Sequence, residues 1–108
     1  MGKITNYDKL VRDLIPEVLA AKGIAVIVET VSREELHARL TEKLKEEVQE
    51  FAVDVNEEEI ADILEVLKAI ISTKGFSEQR IEEIRKKKLT ERGGFTRGLI
   101  LKQTEEEI

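Results

Sequence analysis

Residues 44–67 read LKEEVQEFAVDVNEEEIADILEVL and contain two runs of apolar residues with helical spacing. A short polar break at residues 54–58 separates the two runs. Apolar residues that recur every three or four positions predict a helix with one packing face, because an α-helix turns by about 100° per residue. Two such helices with so short a connection predict a helical hairpin.

Acidic side chains lie beside both apolar faces. In the first run, Glu47 falls inside the edge of the apolar face and Glu50 lies just beside it, while Glu46 is turned further towards solvent. In the second run, Glu59 projects between two apolar residues and Asp62 lies just past one of them. We expect Glu47, Glu50, Glu59 and Asp62 to converge when the two helices pair antiparallel.

Four converging carboxylates need compensation for their charge. A carboxylate at an apolar edge is costly unless its charge is matched, and four together repel one another. A hard divalent cation, Mg²⁺ or Mn²⁺, would match them, because such ions take oxygen ligands. The alternative is a solvated acidic face with ion pairs within each helix, which is typical of Glu-rich helices. The spacing leaves both interpretations open.

The composition indicates one helical domain. The chain has 108 residues, of which 38% are charged and 41% hydrophobic, and it contains no Cys. We therefore expect a single domain over residues 1–108, with no disulfide framework and no thiolate chemistry. No apolar run reaches membrane-spanning length and the N-terminus does not resemble a signal peptide, so we expect a cytoplasmic protein without a membrane partner.

The charges are unevenly distributed along the chain. Twelve acidic and three basic residues lie between positions 34 and 65, whereas ten basic and four acidic residues lie between positions 66 and 104. This arrangement suits a metal-bound phosphorylated ligand, and it equally suits charge pairing within or between subunits. The net charge of −5 makes a nucleic-acid partner unexpected.

Helix start and stop signals predict four helices. They are expected over about residues 14–22, 33–53, 57–74 and 78–92, with N-caps at Asp13, Ser32, Asn56 and Ser77 and stops at Gly23, Gly75 and Gly93. His37, in the charged first turn of the second helix, is expected at the surface.

Two segments, of which the first is rich in β-branched residues, predict short strands, and the hairpin predicts an oligomer. The segments are residues 24–31 (IAVIVETV) and 95–102 (FTRGLILK), which we expect to pair with each other or with a neighbouring subunit. A hairpin of two helices buries too little alone, so we predict a mainly α fold in which a homodimer, or a dimer of dimers, completes a four-helix bundle. The two strands would be peripheral.

Three blocks of sequence resemble one known family. EExxE at residues 46–50 and ExxD at residues 59–62 are similar to the signature of the MazG-like all-α nucleoside triphosphate pyrophosphohydrolases. YDKLVRD at residues 7–13 and IPE at residues 15–17 resemble the opening of the phosphoribosyl-ATP pyrophosphohydrolase-like branch, and IRKKKLTERGGF at residues 84–95 resembles its basic helix. The interval between the two acidic motifs is shorter than is usual in the family and predicts a tight turn.

The resemblance implies Mg²⁺-dependent cleavage between the α and β phosphates of a nucleotide to a monophosphate and pyrophosphate. Carried over residue by residue, it makes Glu47, Glu50, Glu59 and Asp62 the metal ligands. It makes Glu46 either a support for the ligands or the base for the attacking water, so Glu46 and Glu47 are the catalytic candidates. The phosphate-binding candidates are Lys9, Arg12, Arg85, Lys86, Lys88 and Arg92.

Three functions are compatible with these residues. The first is a pyrophosphohydrolase that removes non-standard nucleotides from the cell. The second is the phosphoribosyl-ATP step of histidine biosynthesis. The third is a helical binding or assembly module without catalytic activity, against which the presence of all four predicted ligands argues.

Overall fold

A computed structural model describes residues 2–107, and the predicted mainly helical class is confirmed. The helices are α1 (Ile15–Ala21), α2 (Arg33–Val53), α3 (Glu57–Lys74) and α4 (Glu78–Arg92). The described chain divides after Gly75 into two compact units, of which the first contains α1 to α3 and the second contains α4. The described helices include none that is long and apolar enough to cross a membrane.

Side-chain caps set the starts of the three longer helices. The Ser32 hydroxyl accepts a hydrogen bond from the backbone N–H of Glu35 at 3.2 Å, and the Asn56 side chain accepts one from the N–H of Glu59 at 2.9 Å. Ser77 caps α4 in the same way. Each cap satisfies an N–H group that has no partner within its own helix, so these three predicted starts are confirmed.

The predicted cap of α1 is wrong. The N-cap residue is Leu14, which makes no side-chain capping hydrogen bond, and Pro16 lies in the first turn. Because the helix begins at Ile15, Asp13 lies one position too early for its carboxylate to cap the first N–H groups. The end of α1 is as predicted, with Gly23 at φ 78°, where a residue without a Cβ is favoured.

Helices α2 and α3 form the predicted hairpin and run antiparallel. Arg33, at the start of α2, donates from Nε to the backbone oxygen of Thr73, near the end of α3, at 3.1 Å. His37 Nε2 lies 3.2 Å from the same oxygen, and this side chain is half-buried although we expected it at the surface. At the other end, residues 54–56 connect the helices, which is the tight turn that the sequence predicts.

Neither predicted strand is present in the described chain. Residues 24–31 have no regular secondary structure, and residues 95–98 form a turn in which Gly98 N–H donates to Phe95 O at 3.1 Å. A strand needs a partner to satisfy its backbone groups, and β-branched residues do not supply one. Pairing of these segments with a second subunit stays a prediction.

The hydrophobic core of the hairpin is small. Leu40 on α2, with 5% of its surface exposed, is the one hydrophobic side chain classed as buried among residues 2–107. Ile60, Leu64 and Leu67 share one face of α3 by their spacing, and all three are exposed. The first unit therefore presents an apolar helix face that its own described residues leave exposed.

The second unit is organised around a highly charged helix. Within α4, Arg85 donates from Nε to Glu82 at 2.9 Å, and Lys87 Nζ lies 3.9 Å from a Glu91 oxygen. Ion pairs at these spacings stabilise exposed helices modestly. The helix ends at Arg92 before Gly93, as predicted.

Candidate metal centre

Three carboxylates from α2 and α3 meet at the turn of the hairpin. One carboxylate oxygen each of Glu47, Glu50 and Glu59 lies within 4.8 Å of the other two, and we call this group the carboxylate cluster. Glu47 and Glu50 are three residues apart and so share a face of α2. Asn56, the last residue of the turn, caps α3, which places Glu59 in the first helical turn, opposite the end of α2.

The cluster has one buried and one open side. Glu47 is only 7% exposed, whereas Glu59 is half-buried and Glu50 is exposed. Oε2 of Glu47 and Oε2 of Glu59 are both buried, and no residue among 2–107 donates a hydrogen bond to either oxygen. A buried carboxylate oxygen without a donor is energetically costly, so a positively charged ligand would stabilise these two atoms.

Burial and mutual repulsion perturb the acids of the cluster. Burial raises the pKa of Glu47 above its ordinary value, and the neighbouring charge of Glu50 raises it further, while Lys43 acts in the opposite direction. Burial is also the main cause that raises the pKa of Glu59, followed by the charges of Glu50 and Glu47. The protein alone therefore does not fully compensate the negative charge that it gathers here.

Lys43 is a cation of this site that the sequence interpretation missed. Its Nζ lies 3.5 Å from an oxygen of Glu46 and 3.5 Å from an oxygen of Glu47. The spacings of three and four residues along α2 were a signal that such pairs could form. Glu46 itself lies outside the carboxylate cluster and its side chain is 41% exposed, consistent with its predicted orientation towards solvent.

The fourth predicted ligand, Asp62, is not part of the carboxylate cluster. Its Oδ1 accepts a hydrogen bond from a terminal guanidinium nitrogen of Arg12 at 2.7 Å. Asp62 is nevertheless close enough for its charge to contribute to the raised pKa of Glu47 and of Glu59. The structure thus brings three of the four predicted metal ligands together and pairs the fourth with Arg12, a predicted phosphate-binding residue.

The other predicted phosphate-binding residues have no described contact with the carboxylate cluster. Lys9 Nζ lies 5.8 Å from the centre of the Tyr7 ring, in the irregular segment before α1. The remaining four candidates lie on α4 in the second unit: Arg85, Lys86, Lys88 and Arg92. That they bind phosphate beside the cluster stays a prediction.

The donor set of the cluster fits a hard divalent cation. All three side chains offer carboxylate oxygens, which suit Mg²⁺, Mn²⁺ and Ca²⁺ better than softer metals. Two oxygens on opposite sides of such an ion, each 2.0–2.6 Å from it, stand roughly 4–5 Å apart, and neighbouring ligands stand closer, so three oxygens within 4.8 Å of one another are near enough to share one ion. The alternative interpretation, a solvated acidic face with ion pairs within each helix, fits Glu47 in its ion pair with Lys43 but not in its burial.

Comparison of the chain with protein-family models, with curated proteins and with solved structures found no match.

Proposed function

We propose that this protein is a Mg²⁺-dependent nucleotide pyrophosphohydrolase. It would cleave the α–β phosphoanhydride of a nucleoside triphosphate or related nucleotide to a monophosphate and pyrophosphate, in the manner of an enzyme that removes non-standard nucleotides. The observation that carries the proposal is the carboxylate cluster with its two buried, unpartnered oxygens. The motif resemblance supplies the reaction class.

Different residues would bind the cation, bind the phosphates and accept the proton. Glu47, Glu50 and Glu59 would hold the cation, with Asp62 as a further ligand. Bound Mg²⁺ would neutralise charge on the transferring and leaving phosphate oxygens. Glu46, which is partly exposed beside the cluster, would accept a proton from the attacking water as its oxygen bonds to phosphorus and the bridging oxygen leaves with pyrophosphate. Lys9 and Arg12 would contact the phosphates.

Pyrophosphate release from a panel of nucleotides in Mg²⁺ tests this proposal. The panel includes phosphoribosyl-ATP, the substrate of the alternative pathway. Glu47→Gln and Asp62→Asn should each lower turnover by about 100-fold or more, because even residues that only support a metal ligand typically contribute about 10–100-fold. Both variants should keep the helical circular dichroism of the wild type.

Glu58→Gln is the matched control for these variants. Glu58 lies in the first turn of α3, is exposed, and is outside the carboxylate cluster. This variant should therefore hydrolyse the same nucleotide at close to the wild-type rate. A wild-type protein that releases no pyrophosphate from any nucleotide of the panel would favour the non-catalytic module. Equal turnover of wild type and Glu47→Gln would contradict the assigned ligands.

We also propose that a second copy of the chain covers the hairpin and completes a four-helix bundle. The single buried hydrophobic side chain of residues 2–107 and the exposed face formed by Ile60, Leu64 and Leu67 support this. Light scattering should give about twice the chain mass of 12.3 kDa. Leu64→Glu should give the monomer mass, because Leu64 is 54% exposed in the single chain and would be desolvated only in the dimer. Glu65→Ala, a neighbouring exposed position, should remain dimeric, and a monomeric wild type would refute the bundle.

A further inference from the structure

Two arginine–aspartate pairs hold the irregular N-terminal segment, residues 2–13, against the hairpin. In the first pair, Arg12 of the segment donates to Asp62 of α3 at 2.7 Å. In the second pair, the direction is reversed, and Arg39 of α2 donates to the backbone oxygen of Asp8 at 3.0 Å and to its carboxylate at 3.1 Å. The two pairs are chemically alike, but only the first involves a side chain of the candidate metal centre.

The two pairs therefore differ in what a bound cation would do to them. Asp62 is the predicted metal ligand that lies outside the carboxylate cluster. The Asp62 oxygen that accepts the hydrogen bond from Arg12 is one of the two carboxylate oxygens that could bind a metal ion. Arg12 pairs with the charge of Asp62, while the buried Oε2 atoms of Glu47 and Glu59 accept no hydrogen bond from residues 2–107. A divalent cation that recruited Asp62 would compete with the guanidinium for one carboxylate, whereas Asp8, which pairs with Arg39, lies outside the carboxylate cluster.

We propose that Arg12 is the internal counter-ion of this site. It holds Asp62 outside the cluster until a divalent cation replaces Arg12 as the partner of the Asp62 carboxylate. On exchange, Asp62 joins the cluster and Arg12 is released, together with the anchor that it gives the N-terminal segment. The cation itself comes from the proposed function, on which this inference rests. The side chains of Arg12 and Asp62 are 58% and 42% exposed, so their pair is weakly stabilising and readily exchanged.

Mn²⁺ affinity, measured by electron paramagnetic resonance of the free ion, tests the competition. Arg12→Gln removes the competitor, so it should bind Mn²⁺ about two- to fivefold more tightly than the wild type, the range expected for loss of one exposed ion pair. Arg39→Gln removes the matched pair at Asp8 and should leave the affinity unchanged. Both arginines are at the surface of the first unit, and circular dichroism checks that the variants stay folded.

The fluorescence anisotropy of Tyr7 tests the release of the segment. Tyr7 is the only tyrosine and the chain has no tryptophan, so this signal reports the N-terminal segment alone. In Arg39→Gln, where the Arg12 pair remains as the anchor, saturating Mg²⁺ should lower the anisotropy. In the double variant Arg12→Gln with Arg39→Gln, the anisotropy should be low from the start and insensitive to Mg²⁺.

The possible failures can be told apart. Equal or weaker Mn²⁺ binding by Arg12→Gln, or a Tyr7 anisotropy in Arg39→Gln that Mg²⁺ does not change, would overturn the counter-ion role. The metal centre would stand in either case if the wild type binds Mn²⁺ and Glu47→Gln binds it more weakly. A wild type that binds no Mn²⁺ would overturn both proposals.

Discussion

Replacement of Glu47 by glutamine should stabilise the protein when no divalent cation is present. The substitution keeps the shape of a side chain that is only 7% exposed but removes its charge. At the 4.8 Å limit of the cluster, the repulsion between Glu47 and Glu50 is roughly 1–3 kcal/mol for effective dielectric constants between 80 and 20. The lost ion pair with Lys43, at 3.5 Å, offsets part of this gain, but burial and the charge of Glu50 outweigh Lys43, since the pKa of Glu47 is raised overall.

The expected net effect is an increase of about 1–2 kcal/mol in the free energy of unfolding in EDTA, or a rise of several degrees in Tm for a domain of this size. In Mg²⁺ the order should reverse. The wild type would gain about 2.7 kcal/mol at a cation concentration 100 times Kd, whereas the variant would gain little. Thermal unfolding followed by circular dichroism, at one fixed protein concentration, measures both differences.

Glu46→Gln is the matched control for this experiment. Glu46 precedes Glu47 on α2 and shares Lys43 as its ion partner at the same distance of 3.5 Å, but it lies outside the carboxylate cluster. Its replacement should change the EDTA stability by less than about 0.5 kcal/mol and leave the Mg²⁺-induced gain intact. A Glu47→Gln protein that is less stable than wild type in EDTA, or that gains as much from Mg²⁺, would refute the electrostatic account of the cluster.

Three further predictions follow from single features of the first unit. In EDTA, the free energy of unfolding of the wild type relative to Glu47→Gln should fall as the pH rises above 4.5. The pKa of Glu47 is raised in the folded state, so the folded protein binds this proton more tightly than the unfolded chain does. The Mn²⁺ affinity of the wild type should rise over the same pH range, since protons and the cation compete. Asn56→Ala and Ser32→Ala should each cost about 1 kcal/mol of stability in urea unfolding, but only Asn56→Ala should also weaken Mn²⁺ binding, because that cap positions Glu59. Gly75→Ala should cost roughly 1–2 kcal/mol from backbone strain alone, since φ is 72° there and a Cβ would meet no atom within 4 Å.

Local signals in the sequence were sufficient for the helices. Ser32, Asn56 and Ser77 cap the helices that they were predicted to cap, because a cap is a contact between residues three positions apart. Helical periodicity likewise placed Glu47 and Glu50 on one edge of α2, and the short turn brought Glu59 to them. These features depend on neighbours in sequence, and so they can be derived from it.

Contacts between distant positions were not predictable in this way. Arg12 and Asp62 are 50 positions apart, and no periodicity links an irregular segment to a helix face. His37 was misplaced for a similar reason, since its partner Thr73 belongs to the other helix of the hairpin. The two strands were predicted from local composition, which favours a strand only where a partner edge exists.

The occupancy of the carboxylate cluster by a divalent cation can be measured most directly by anomalous scattering from crystals grown in Mn²⁺. We expect an anomalous peak with oxygens of Glu47, Glu50 and Glu59 as ligands, and no such peak in Glu47→Gln crystals grown alongside. Glu47 and Glu59 oxygens that instead accept hydrogen bonds from water or lysine, with no anomalous peak beside them at saturating Mn²⁺, would contradict it.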